Sequence, residues 1–278
     1  MTWNLWWRFG PWEERQPAID AVVLDEQPDV LLLQEVWSDG DASSAARLAG
    51  LLGGHVALTS DRWGGQSAAR NELGGSTGGG APRVIGFHNA VVSRWPLTDV
   101  DQRVLTGADG RPGHRRILLA EAATPWGGWT FGSTHLDYQF DQSATRQVQI
   151  GEVLDAVIER RGDPAHDLPV VIAGDFNAVP DSDEIRMATG RAAPPRAGVL
   201  LSDCWEHVGA DDGCTWRRDN PYQADTAWPQ RRLDYVFVSW PRPKPIGNPV
   251  AAWLAGVDAV DGVVPSDHAA VVVELDTP

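Results

Sequence analysis

Pro169-Val170-Val171-Ile172-Ala173-Gly174-Asp175-Phe176-Asn177 reads as a buried strand that ends on a cluster of polar groups. Its continuous apolar run suits a strand covered on both faces, as in sheets packed between other layers. The same reading repeats along the chain. Thr2-Trp3-Asn4 ends on an amide, and Val30-Leu31-Leu32-Leu33 runs into Gln34-Glu35. Trp129–Thr134 runs into His135, Leu233–Ser239 holds Asp234, and Ser266-Asp267-His268 introduces Ala269–Leu275. Strand ends are where loops converge and ligands bind in layered α/β folds, so the recurrence of polar groups there is the informative pattern.

Helical periodicity separates these strands. Residues 13–26 place Ala18, Ile19, Val22 and Val23 on one face, and Pro28-Asp29 breaks the pattern. Ser43–Leu52 is a short helix ended by Gly53-Gly54. A helix over 143–161 carries Ile150, Val153, Leu154, Val157 and Ile158 on one stripe. Further short strands are predicted at Val84–Phe87, Ala90–Ser93 and Ile117–Glu121. Residues 60–82, with Gly74–Gly80 at their centre, read as a long flexible loop, and 186–200 and 215–231 as surface loops. Strands and helices alternate without a linker or an internal repeat, so residues 1–278 are expected to form one layered α/β domain.

The charge balance narrows the partners. With 23 basic and 38 acidic side chains, the chain carries −15 at neutral pH. That sign disfavours loose adhesion to nucleic acid or to an anionic membrane surface. The doublets Arg115-Arg116, Arg217-Arg218 and Arg231-Arg232 are scattered and form no stripe interleaved with aromatics. No apolar run approaches 18 residues, so stable membrane insertion is not expected. Cys204 and Cys214 do not make a disulfide framework, although one bridge between them is open, and the chain reads as cytoplasmic. Sequence does not set the oligomeric state.

Hard oxygen donors such as Asn4, Glu35 and Asp267 suit Mg²⁺, which takes few protein carboxylates and keeps several waters. No Cys-x-x-Cys or His-x-x-x-His pair points to zinc. The remaining His, Asp and Asn groups could activate a water and bind phosphate oxygens. Taken singly, an Asp or Asn after a buried strand is more often a turn or a helix cap. The joint pattern carries the argument.

Trp3-Asn4, Leu33-Gln34-Glu35, Ser133-Thr134-His135-Leu136, Gly174-Asp175-Phe176-Asn177, Arg232-Leu233-Asp234-Tyr235 and Ser266-Asp267-His268, in that order, resemble the endonuclease/exonuclease/phosphatase superfamily of deoxyribonuclease-I-like enzymes. The resemblance spans residues 2 to 275. It implies a four-layer α/β/β/α sandwich of two packed mixed sheets, with the site at one edge. It also implies Glu35 as principal metal ligand, supported by Asn4 and Asp267, for Mg²⁺ or alternatively Mn²⁺. Asp175 is similar to the carboxylate that orients or deprotonates the attacking water, and Asn177 to the amide that holds the scissile phosphate. His268, oriented by Asp234, would contact a phosphate oxygen, and His135 would donate on the phosphoryl or leaving side. Asn89, Tyr138, Trp6 and Arg8 are candidate substrate contacts, with Trp7 beside Trp6 as a second pocket wall.

The expected activity is therefore phosphoester hydrolysis by in-line attack of water. The charge favours a small or amphiphilic phosphate substrate over nucleic acid, and a nuclease is the alternative. A noncatalytic binding module on the same fold would lack at least one key residue. All eight are present.

Overall fold

A computed structural model describes residues 1–60 and 85–278. In chain order they form β1 (Thr2–Asn4), α1 (Trp12–Glu26), β2 (Val30–Ser38), α2 (Ser44–Leu52), β3 (His55–Leu58), β4 (Gly86–Ser93), β5 (Leu97–Thr106), β6 (Pro112–Thr124) and β7 (Gly127–His135). There follow α3 (Ser143–Arg160), β8 (Val171–Asp175), α4 (Asp183–Ala188), β9 (Leu200–Asp203), α5 (Cys204–Val208), a 3₁₀ turn (Pro221–Gln223), β10 (Asp234–Trp240), β11 (Pro249–Ala255) and β12 (Ala270–Leu275). The strands make two six-stranded sheets, ordered β11-β12-β1-β2-β4-β3 and β5-β6-β7-β8-β10-β9.

Strand alternation shows why the central strands read as unbroken apolar runs. In β2, Val30 and Leu32 pack into the core between the sheets, while Leu31 and Leu33 pack under α1 and α2. In β8, Val171 and Ala173 face the other sheet and Ile172 faces α3. Both faces are buried, so both need apolar side chains. Three cores thus separate four layers, helices outside and sheets inside, which is the α/β/β/α sandwich. On α3, Ile150, Val153, Leu154 and Val157 are buried, but Ile158 lies 39% exposed at the rim of the predicted stripe.

Two parallel pairs fix where the polar strand ends meet. β1 and β2 are parallel across α1, and β7 and β8 are parallel across α3. β10 and β12 run antiparallel to their neighbours. The C-terminal ends of the four parallel strands therefore share an edge with the starts of β10 and β12. Register makes this explicit: Asn4 lies opposite Gln34, and Asp175 lies between His135 and Asp234. Because β1 and β2 pack over β7, β8 and β10, both sheets present that edge on the same side.

The predicted pair Val84–Phe87 and Ala90–Ser93 is one strand, Gly86–Ser93, continuous through His88-Asn89, with Val84 outside the described residues. The Gly-rich stretch over 61–82 also lies outside them. Cys204 and Cys214 are both free, so the open bridge is not made. No described helix is long and apolar enough to cross a membrane.

Candidate active site

Asp175 is the centre of the polar edge. It ends β8 and is 1% exposed. Its Oδ1 accepts from the Asn177 amide at 2.8 Å, and its Oδ2 accepts from Asn4 Nδ2 at 3.1 Å. The same Oδ2 lies 3.5 Å from His135 Nε2 and 3.9 Å from His268 Nε2. Two imidazoles and an amide, drawn from both sheets, thus converge on one carboxylate oxygen. His268 is anchored from behind, its Nδ1 being 2.7 Å from Asp234 Oδ2. Trp3 Nε1 donates to the His268 carbonyl at 2.9 Å, and Ser266 Oγ donates to the Asn4 carbonyl at 2.6 Å, tying β1 to the segment before β12.

Backbone geometry aims the side chains. β2 slips register against β4 between Leu33 and Val36, so Gln34 and Glu35 bulge opposite Asn89, and Glu35 takes φ +52°. A β-branch-free residue still resists that left-handed conformation, and bulges of this kind re-aim a side chain beside active sites. The bulge is held by Leu5 N–H to Gln34 O at 3.0 Å and Trp7 N–H to Glu35 O at 3.1 Å. Asn177 is likewise left-handed at φ +50°. Gly174 has φ +150°, and a Cβ there would sit 1.9 Å from the Thr134 carbonyl oxygen. Gly174→Ala is therefore expected to wedge β7 from β8, costing roughly 3 kcal/mol or more. Thermal melting checks it. A melting point within a degree of the parent would contradict the close approach.

A second tier of residues braces the edge. Arg15 on α1 is fully buried and donates to the carbonyls of Leu5, Trp6, Trp7, Phe9 and Pro265 at 2.8–3.1 Å. Burial lowers its pKa to about 10 against the pull of Asp267, Tyr222 and Glu35. Arg146 on α3 does the same for the loop after β7, donating to Asp137 O and Gln139 O at 3.1 and 2.6 Å while paired with buried Glu184 at 2.5 Å. Each arginine stands eleven residues beyond its strand-end residue, Asn4 or His135. The two parallel pairs are thus built alike. Asp267 is steadied by Gln223 Nε2 at 3.3 Å, and Ser266 O accepts from Asn220 Nδ2 at 2.9 Å.

Burial sets the protonation of the cluster. It pushes Asp175 up to about 6, with Asp234 adding to the rise and His268, Asn177 and Asn4 opposing it. Burial alone would lower His268, but Asp234, Asp175 and Asp267 together hold it well above the usual imidazole range. Asp267 rises to about 7, again through burial first, with Glu35 raising it and His268 and Arg15 opposing.

Two groupings could hold a cation. Ligand atoms of Asp175, Asp234 and His268 all lie within 4.8 Å of one another. That trio is already closed by the short Asp234–His268 hydrogen bond, and a cation there would have to break it. Glu35 and Asp267 raise the other possibility: two carboxylates close enough that Glu35 lifts the Asp267 pKa, with His268 and Arg15 also acting on Asp267. Two carboxylates with the Asn4 amide oxygen would suit Mg²⁺ or Mn²⁺ better than zinc.

The candidate substrate contacts divide. Arg8 is clamped between Trp12 and Trp37, 4.3 Å from each ring, and the charges acting on it are Asp39 and Glu13. There it packs between two aromatic faces. Trp7 is a core residue donating to Gly86 O at 2.8 Å, so it does not wall a pocket. Trp6 packs on Tyr222 at 4.5 Å and its N–H donates to Asn4 Oδ1 at 3.0 Å. Asn89 Nδ2 donates to Arg116 O at 2.8 Å, and the residue lines a small recess with His135. Tyr138 is 58% exposed, with Arg115 5.6 Å from its ring.

Sequence reading missed Arg15, Arg146, Glu184, Asn220, Tyr222 and Gln223. The arginines offered one usable signal, their equal offset from two strand-end residues. The three residues of the 215–231 stretch offered none.

A family model described as "Endonuclease/Exonuclease/phosphatase family" matches residues 1–268. Among curated proteins no sequence matches. Solved structures that match include TDP2 of D. rerio complexed with single-strand DNA product, at 19% identity and TM-score 0.70, covering 99% of this chain and 97% of that one. The endonuclease/exonuclease/phosphatase from Beutenbergia cavernae DSM 12333 is 26% identical with TM-score 0.68, covering 99% of this chain and 70% of that one. The human Nocturnin catalytic domain with bound sulfate anion is 21% identical with TM-score 0.69, covering 99% and 92%.

Proposed function

The chain belongs to the Endonuclease/Exonuclease/phosphatase family, and from that premise we propose that it hydrolyses a phosphoester by in-line attack of water, assisted by Mg²⁺ or, in its place, Mn²⁺. The observation that carries this reading is the convergence of His135, His268 and Asn4 on Asp175 Oδ2.

Asp175 accepts the proton of the attacking water. A carboxylate raised to about 6 is mostly ionised at neutral pH yet more basic than an ordinary aspartate, which suits a general base. His268, held above the usual imidazole range, stays protonated and offers Nε2–H to a phosphoryl oxygen while Asp234 fixes its ring. His135 donates from the neighbouring strand, and Asn177 supplies an amide to the phosphate. Glu35, Asp267 and Asn4 would hold the cation, which supplies positive charge against the phosphoryl oxygens as negative charge builds in the transition state. Two unpaired thiols support a reducing compartment such as the cytoplasm.

The test compares a bis-aryl phosphodiester, an aryl phosphomonoester and plasmid DNA, each with Mg²⁺, Mn²⁺ or chelator. Hydrolysis of at least one, abolished by chelator, is expected. Plasmid nicking at low enzyme concentration would favour the nuclease reading, for which the matched TDP2 structure with its single-strand DNA product provides the motive. Cation binding without turnover of any ester would favour a binding module.

Cation affinity should depend on pH in a stated direction. Asp267 must be ionised to act as a ligand and takes up a proton near pH 7 in the cation-free protein. Below about pH 7, Mg²⁺ affinity is therefore expected to fall up to tenfold per pH unit, and to level off above it. Calorimetric titration between pH 5.5 and 8 reads this directly. A flat profile would take Asp267 out of the ligand set.

A further inference from the structure

The chain is strongly acidic, yet one cation beside the candidate site has no acid partner. Arg231 lies 4.4 Å from the Phe140 ring and 4.9 Å from the Trp228 ring, and makes no ion pair among the described residues. Burial lowers its pKa, and the charge acting on it is another cation, Arg146. Phe140 and Trp228 touch at 4.4 Å between centroids, and each keeps nearly half its surface in solvent, at 44% and 45%. An exposed pair of aromatic rings is unfavourable in water, and an unbalanced arginine attracts anions.

Position makes the cluster relevant to the chemistry. Phe140 follows His135 by five residues, and Arg231 precedes Asp234 by three, so the cluster stands where two site-bearing strands meet the edge. The loop carrying Phe140 is fastened through Arg146 to Asp137 and Gln139, and Arg146 is fixed by Glu184. The platform is therefore built on an ordered support. Phe140 and Trp228 are 88 residues apart in sequence, which is why no basic–aromatic interleaving was legible there.

We propose that Phe140, Trp228 and Arg231 form a subsite for a flat, unpaired ring attached to the scissile phosphate, and that the substrate is a nucleoside-bearing phosphoester. This rests on the phosphoesterase reading above. The aromatic faces stack on a base, and the guanidinium meets the adjoining phosphate. A base inside a duplex is stacked on both faces, so this subsite takes only a single-stranded or terminal base.

The first arm of the test is binding without turnover. A labelled single-stranded oligothymidylate hexamer in chelator, read by fluorescence anisotropy, should bind the intact protein, and thymidine 5′-monophosphate should compete with it. A hairpin that holds the same hexamer in the middle of a long paired stem should bind at least tenfold more weakly. Trp228→Ala and Arg231→Met should each weaken hexamer binding about tenfold or more. Competition by the mononucleotide as strong as by unlabelled hexamer identifies the small nucleotide as the source; a much stronger hexamer identifies the strand.

The second arm compares thymidine 5′-(p-nitrophenyl phosphate) with methyl p-nitrophenyl phosphate, which share a leaving group. The preference for the nucleoside ester in kcat/KM should fall about tenfold in Trp228→Ala and Phe140→Ala. Hydrolysis of both esters with no nucleoside preference, or variants that keep the preference and the binding, would overturn the subsite and leave the hydrolase reading standing. Hexamer binding that Trp228→Ala weakens, without hydrolysis of any ester, would sink the hydrolase reading and keep the subsite. Neither binding nor hydrolysis would sink both. Circular dichroism of each variant separates lost binding from lost folding, and Trp228→Phe, which keeps a ring, should restore most of the binding.

Discussion

Asp175→Asn is expected to lower kcat on the order of 10³-fold while leaving the protein as stable as its parent or more so. Removing the carboxylate takes away the proposed proton acceptor; the amide keeps the shape and an oxygen for the Asn177 N–H, and gives up the oxygen that accepts from Asn4. The stability half follows from linkage. Burial and Asp234 raise Asp175 in the fold from the ordinary 3.8 to about 6. Between those values the folded state binds the proton more tightly than the unfolded state, so stability is lost as pH rises through this window. At neutral pH the ionised group costs about 3 kcal/mol, which the amide does not incur. Turnover and melting temperature, measured together from pH 5 to 8, check both halves. An unimpaired kcat would remove Asp175 from the chemistry. A large fall in melting temperature would make it a structural residue instead.

Arg15→Met should have the largest effect on stability, about 3–5 kcal/mol, lowering the melting temperature by roughly 10 °C. Methionine fills a similar volume but takes the guanidinium donor from the carbonyls of Leu5, Trp6, Trp7, Phe9 and Pro265, of which Trp6 keeps the Phe9 N–H. Those carbonyls flank Asn4 on one side and Ser266-Asp267 on the other, so Mg²⁺ affinity should fall with stability. Arg15→Lys is expected to recover little, because an ammonium with three donors cannot serve five carbonyls spread around a planar fork. Arg47→Met is the contrast. Arg47 pairs with Asp20 at the surface, with its side chain 47% exposed, and the change should stay within about 0.5 kcal/mol. Equal losses at Arg15 and Arg47 would refute the argument from burial.

The strands that sequence patterning missed are β3, β5, β9 and β11, and these are the four edge strands of the two sheets. An edge strand is covered less completely than a central one, so it needs no continuous apolar run. Thr98, Asp99, Val100 and Thr106 in β5 and the 60%-exposed Val250 in β11 show the result. Central strands carry a strong signal because both faces are buried. The site residues stood out for the same reason: Asn4, Glu35, His135 and Asp175 interrupt apolar runs at places where water would not otherwise require polarity. Arg15 gave no such contrast. A charged side chain near the start of a helix ordinarily faces solvent, and only the fold of two distant loops encloses it. Trp6, Trp7 and Arg8 were adjacent in sequence and diverge in space, one each to the site's brace, the core and a tryptophan clamp. The left-handed residues Trp6 and Trp7 turn the chain between them, and propensity does not anticipate that conformation in tryptophan.

β12 lies beside β1 in the first sheet, and the segment leading into it carries both Asp267 and His268. A polypeptide still emerging from the ribosome can pair β1 with β2 and build the whole second sheet up to β10, yet it holds no imidazole opposite Asp234. On the proposed reading, the site is complete only once the chain has been made past His268. Any product cut short before Asp267 should therefore lack the proposed activity however well its earlier parts fold.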